Sequence, residues 1–161
     1  MSALKTINYR GGLVIFSIPA TWREEYEPAG GGTFYEDRPD SGTLRLNVMT
    51  MEAPPYAQEL SALQALSHST AAGDEREVTA LPNGNAMARY VKKAVEDRQR
   101  LHIHYWEVAS PLPPRHMRLA IFSYTLFAAQ TSTSSVRREL EMLNQQIEAA
   151  QFASELGVVD P

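Results

Sequence analysis

There is no cysteine among the 161 residues of this chain. Disulfides and thiolate metal sites are thereby excluded. A domain of this length needs no such staple, because it buries roughly 70% of the surface its unfolded chain exposes. Histidine is scarce as well, with four in all. Basic residues are outnumbered, 15 Lys and Arg against 19 Asp and Glu, for a formal net charge of -4. A nucleic-acid binder shows a basic excess or a basic stripe. Here the arginines come as scattered pairs (Arg98 and Arg100, Arg115 and Arg118, Arg137 and Arg138), so no nucleic-acid partner is expected. No apolar run approaches the ~20 residues of a membrane span; the longest, Leu119 to Phe122, suffices only for a strand. The first ten residues lack the apolar core and small-residue cleavage site of a signal peptide, and a cytoplasmic location is the expectation. No repeat, low-complexity tract or abrupt change of composition divides the chain, so a single domain over 1–161 is expected.

What is present is ordinary globular material, 43% hydrophobic and 21% charged. Leu13 to Ile18 is apolar and β-branched and reads as a strand stopped by Pro19. Thr33 to Glu36 is a short strand ended by turn residues from Asp37 to Gly42. Thr43 to Glu52 alternates, with Leu44, Leu46 and Val48 on one side and Arg45 and Asn47 on the other. After Pro54-Pro55 the period changes: Tyr56, Leu60, Leu63 and Leu66 draw a helical stripe, with Gly73 past its end. Glu75 to Leu81 and Asn85 to Glu96 flank Asn83-Gly84, which predicts a type I′ hairpin. Asp97 to Gln99 is a second tight turn. Arg100 to Ala109 and His116 to Phe127 are long strands joined by Ser110 to Arg115. Leu119 to Phe127 is apolar on both faces over much of its length, as in a central strand covered on both sides. Val136, Leu140, Leu143, Ile147 and Ala150 mark a terminal helix over Ser135 to Gln151, behind a run of capping hydroxyls. The expected class is α+β in the order βββ-α-ββββ-α: an antiparallel sheet of about six or seven strands flanked by helices, with one helix on each face or one face curling over itself.

That order, with four sequence marks, resembles the PsbP-like group of α/β/α sandwiches. The marks are Phe16-Ser-Ile-Pro19 followed by Trp22, the strand Leu44 to Met49, the aromatic strand pair ending in Tyr105-Trp106 and Phe122-Ser-Tyr124, and a terminal helix running into Phe152. The group includes the photosystem subunit PsbP, a nuclear import factor that binds the GTPase Ran, and the bacterial DcrB-like proteins. The resemblance implies a noncatalytic role in binding partners. Some cytosolic DcrB-like relatives resemble chaperones that shield apolar helices of secreted toxins. No catalytic residue carries over, because the group has no shared catalytic motif to match.

Among single residues, His102 and His104 share one face of a strand and are the most metal-like feature, the basis of an alternative reading as a metal-dependent enzyme. Zinc requires three or four protein ligands. If a hairpin places Ala109 opposite His116, His104 lies five residues further down, roughly 16 Å away at about 3.3 Å per residue. That is too far for a shared ion, and Asp97 or Glu107 would help only in an unusual register, so the pair is read as structural. His68 between Ser67 and Ser69 is read as a cation at a helix end. Gly30-Gly31-Gly32 lacks the lysine and spacing of a phosphate loop and is read as a flexible connection. The pairs Glu24-Glu25 and Glu36-Asp37 sit beside turns and are read as solvated. The aromatics carry more. Phe34 and Tyr35 are strand neighbours, as are Tyr105 and Trp106, so one ring of each pair must leave the face the other occupies. Met49 and Met51 alternate in phase. The expected binding residues are therefore Phe34, Tyr35, Met49, Met51, Tyr105 and Trp106, with another protein as partner, a homo-oligomer compatible with them, and no cofactor. A carrier of a small apolar ligand, held between sheet and long helix, is the other alternative.

Overall fold

In a computed structural model, the chain is described over residues 3–52, 61–68 and 76–154. Among the described residues the strands are β1 (Leu4–Tyr9), β2 (Val14–Pro19), β3 (Arg23–Tyr26), β4 (Gly32–Tyr35), β5 (Thr43–Glu52), β6 (Glu77–Ala80), β7 (Ala86–Glu96), β8 (Gln99–Leu112), β9 (His116–Phe127) and β10 (Gln151–Phe152). Helix α1 (Ala62–His68) follows β5, and α2 (Ser134–Glu148) follows β9. Seven strands form one sheet in the order β3-β4-β5-β9-β8-β7-β6, antiparallel at every step. The order β1-β2-β10 makes a second, smaller antiparallel sheet.

The period-two pattern of β9 explains the layering. Ala120, Phe122, Tyr124 and Leu126 point to one face of the large sheet and Met117, Leu119 and Ile121 to the other. The first face is the larger core. There Phe34, Leu44, Leu46, Trp106 and Phe122 meet Ile7, Val14, Phe16 and Ile18 of the small sheet and Val136, Leu140, Leu143 and Ile147 of α2. Phe16 stands edge-on to Phe34 at 5.5 Å and to Phe122 at 5.2 Å, the geometry aromatic quadrupoles prefer. On the second face, Ala62 and Leu66 of α1 lie on Ala86, Ala88, Ala109, Met117 and Leu119. The three alanines let the short helix sit close to the sheet. The result is the expected α+β sheet flanked by helices, with seven strands in the main layer and one helix to each face.

Several local expectations need correction. Strands β1 and β3 lack a clear strand pattern in the sequence, because Lys5, Asn8, Arg23, Glu24 and Glu25 dilute the β signal. Backbone pairing on a neighbouring strand holds them instead, and all four residues of β3 are exposed. The Asn83-Gly84 hairpin is not of type I′, since only Gly84 has positive φ (87°). Its N–H donates to the Leu81 carbonyl, a type I geometry that Pro82 favours at the second position. The two-residue turn with positive φ at both centres lies instead between β7 and β8, at Asp97 (50°) and Arg98 (66°). The β8–β9 loop is shorter than expected: Leu112, not Ala109, faces His116, and Ala109 faces Leu119. In α1 the buried residues are Ala62 and Leu66 while Leu63 is exposed, so the stripe runs through the alanines. Tyr56, Leu60, the Pro54-Pro55 break and Gly73 lie outside the described residues. Gly42, read only as a turn residue, has a second reason: a Cβ there would run into the Tyr124 ring and Leu126.

Candidate functional site

The second face of the large sheet is where the expected binding residues separate. Phe34 and Trp106 are fully buried in the first-face core, so neither presents its ring to a partner. Trp106 also donates its indole N–H to Asn144 Oδ1 of α2 at 3.0 Å. The correction has a simple cause: even-numbered residues of β4 and β8 share the face that the small sheet and α2 cover. Tyr35 and Tyr105 point the other way and are half-buried. Tyr35 donates its hydroxyl to Glu25, and Tyr105 stacks on Tyr90 with centroids 4.9 Å apart. Met49 and Met51 are 47% and 39% exposed on β5. Their cross-strand partners are Leu119 and Met117, so the methionines extend the apolar strip that α1 covers on the other side. Beyond them β5 turns polar, with exposed Asn47 and Arg45.

Beside Tyr105 sits a cluster that the sequence reading missed. Glu107 is 7% exposed on β8. Its carboxylate accepts from the Tyr90 hydroxyl and from Arg76 Nη1 at 3.3 Å, and the Arg76 guanidinium also lies over the Tyr90 ring at 4.4 Å. Burial, then the Glu107 hydrogen bond, pushes the Tyr90 phenol well above its ordinary value. The available signal was a lone acid, Glu107, between Trp106 and Val108 in an apolar strand; such an acid must bring its own partners.

His102 and His104 do lie on one face, but they do not converge with His116. His104 faces Tyr124, eight residues along β8 from Leu112, the partner of His116. At about 3.4 Å per residue that is roughly 27 Å, further than expected. Among the described residues no three His, Cys, Asp or Glu side chains form a metal-sized group. His102 Nδ1 is 3.1 Å from the Thr131 hydroxyl. His104 is 8% exposed beside Trp106. Burial first, then the positive charges of Arg89 and His102, lower its pKa to about 4.

That shift has a measurable consequence. The unfolded histidine binds its proton near pH 6.5, the folded one only near 4. The unfolded state therefore holds more protons between those values, and stability falls as the pH drops through that window. Relative to a His104→Phe variant, the wild-type chain should lose on the order of 2 kcal/mol between pH 7 and pH 4. Urea melts at the two pH values check this; equal losses in both proteins would mean that His104 stays charged in the fold.

The acidic pairs have partners rather than a shared site. Glu24 takes Lys5 at 2.9 Å and Glu36 takes Arg38 at 2.8 Å. The Tyr26 hydroxyl, then Lys5, hold the Glu24 carboxyl below its ordinary value. The Gly30–Gly32 loop is tied down, with the Gly31 N–H donating to the Tyr9 hydroxyl at 2.8 Å. The Ser67 and His68 side chains lie outside the described ones. A groove of about 700 Å³ lies between α2 and the end of β2, floored by Trp22, Pro19 and Met142. Glu36, Arg138, Glu139 and Gln145 line it as well, so its wall is mixed, whereas small-molecule pockets are lined predominantly by apolar side chains.

No protein-family model matches the chain, and no curated protein matches it. Solved structures do. A crystal structure of a Bacteroides thetaiotaomicron protein aligns at TM-score 0.63 with 15% identity over 94% of this chain, which spans about half (49%) of that one. LpqN, described as involved in cell envelope biogenesis in Mycobacterium tuberculosis, aligns at 0.63 with 10% identity over 94% of this chain and 91% of its own. A point mutant of the protein Mog1 aligns at 0.57 with 10% identity over 98% of this chain and all of its own. At these identities the likeness is one of fold, an α+β sandwich of antiparallel sheet and helices like that of these neighbours.

Proposed function

We propose that this chain is a noncatalytic protein-binding module, a chaperone or adaptor of the DcrB-like kind, that takes up an apolar segment of another protein on the outer side of β5. The carrying observation is the exposure of Met49 and Met51, side by side in phase on that strand and continuous with Leu119 and Met117. Methionine is unbranched and polarisable, and it adapts its shape to apolar partners. Arg45 and Asn47 along the same strand give the strip a polar rim, as docking surfaces have. A likeness in fold to LpqN and Mog1 supports a binding role without specifying the partner.

The test is a pull-down with the intact chain, read by mass spectrometry, followed by Met49→Asp and Met51→Asp in parallel. Each variant is expected to weaken capture of the recovered protein by about tenfold or more, because a carboxylate in an apolar contact goes unpaired. The thermal midpoint should barely move, since both side chains are exposed in the free protein. Undiminished capture by both variants sinks the proposal.

A further inference from the structure

The longest hairpin of the fold ends in an edge that no strand accompanies among the described residues. Strand β6 pairs with β7 only from Glu77↔Arg89 to Ala80↔Ala86. From Tyr90 to Glu96, β7 is paired on its β8 side alone among the described residues. That leaves a row of backbone donors and acceptors roughly 20 Å long, a ready template for an added strand. The side chains along it are unusual in two ways. Val91 and Val95 are 48% and 71% exposed, although β-branched residues in strands are usually packed. They also alternate with charge: residues 86–112 carry five cations (Arg89, Lys92, Lys93, Arg98, Arg100) against three acids (Glu96, Asp97, Glu107), in a chain whose net charge is -4. The described ion pairs use Lys5, Arg23, Arg38 and Arg76, not Lys93 or Arg100. Next to the edge lies a groove of about 410 Å³, lined by Lys93, Val95, Arg100, Leu101, His102 and Ala128.

We infer that the free edge of β7 from Tyr90 to Glu96 docks an acidic, extended segment of a partner protein as an additional strand. The backbone row supplies affinity that is indifferent to sequence. Val91 and Val95 receive alternate apolar side chains, and Lys93 and Arg100 receive carboxylates through the neighbouring groove. Lysine on an edge also guards against self-pairing. The same edge of a second copy would set Lys92 and Lys93 against their own kind, so charge selects an acidic strand over another copy of this chain. This edge lies away from Met49 and Met51, on the other side of β9 and β8 in the strand order, and the inference does not rest on the role proposed for them.

The probe is a short fluorescent peptide of repeating Val-Thr-Glu-Thr, which alternates valine and glutamate along one strand face as Val91, Lys93 and Val95 require, with a Val-Thr-Lys-Thr repeat as control. Anisotropy should show the acidic peptide binding, the basic one not, and affinity falling as salt is added. Backbone amide exchange by NMR should slow within residues 90–96. The Lys93→Glu, Arg100→Glu double variant should bind about tenfold or more weakly, and Arg100→Gln by an intermediate amount. Both positions are on the open hairpin, and an unchanged thermal midpoint confirms that the variants fold. Four results would overturn the inference: no binding, equal binding of the basic peptide, slowed exchange confined to another strand, or protection of 90–96 that grows with protein concentration when no peptide is present. The last would place a second copy on the edge.

Discussion

Trp106→Ala is expected to cost about 3–5 kcal/mol of folding stability, while Tyr105→Ala, one residue away, costs about 1 kcal/mol. The contrast follows from the pleat. Trp106 is fully buried between the large sheet and α2, so its removal leaves a cavity that the surrounding strands cannot close. It also strands the Asn144 amide oxygen, which accepts the indole N–H at 3.0 Å. Tyr105 is half-buried and gives up mainly its stacking on Tyr90, 4.9 Å between centroids. Urea unfolding at fixed slope reads both losses. If the two variants fall within about 1 kcal/mol of each other, Trp106 is not the core residue described here.

The same pair shows how far the sequence could be read. Alternation establishes that Tyr105 and Trp106 occupy opposite faces, and it does so from two letters. Which face is the core depends on what covers the sheet, and that is not local. The first-face cover includes β1 and β10, the one diluted by Lys5 and Asn8 and the other only two residues long. Without them the small sheet is invisible in the sequence, and the first face looks half-bare. Strands β5 and β9 were legible to the residue, because their alternation is strong and their ends are marked by turns or breaks.

The site was less legible than the fold. Met49 and Met51 could be placed in phase with each other, but their exposure depends on how far α1 reaches across the sheet. The Arg76–Glu107–Tyr90 cluster joins residues far apart in the chain, and only the β7–β8 register brings Tyr90 and Glu107 near each other. The edge of β7 was hidden for a different reason. A strand pattern shows where a strand runs but not how much of its neighbour accompanies it, and β6 stops four residues into its pairing with β7. The separation of His116 from His104 came out too small, because Pro111 seemed to end β8; the pairing of Pro111 with Met117 shows the ladder running past it.

Leu143→Ala should cost about 2–5 kcal/mol, and Glu141→Ala, on the outer side of the same helix, within about 0.5 kcal/mol of nothing. Helix α2 has 15 residues, a length that is marginal for an isolated helix in water. Its first turn is capped by Thr133, whose hydroxyl accepts from the Val136 N–H at 3.3 Å, worth about 1 kcal/mol. The rest of its stability has to come from the stripe of Val136, Leu140, Leu143 and Ile147, all buried against the sheets. Leu143 sits in the middle of that stripe at 1% exposure, where neighbours on both turns prevent the cavity from closing. Leu143→Met, which nearly conserves volume, should cost less than about 1.5 kcal/mol, separating lost packing from lost helix propensity. Denaturant melts of the three variants decide the matter. A loss below about 1 kcal/mol for Leu143→Ala would mean that α2 rests on the sheet without being packed into it, and the first-face core would then have to be held by the small sheet alone.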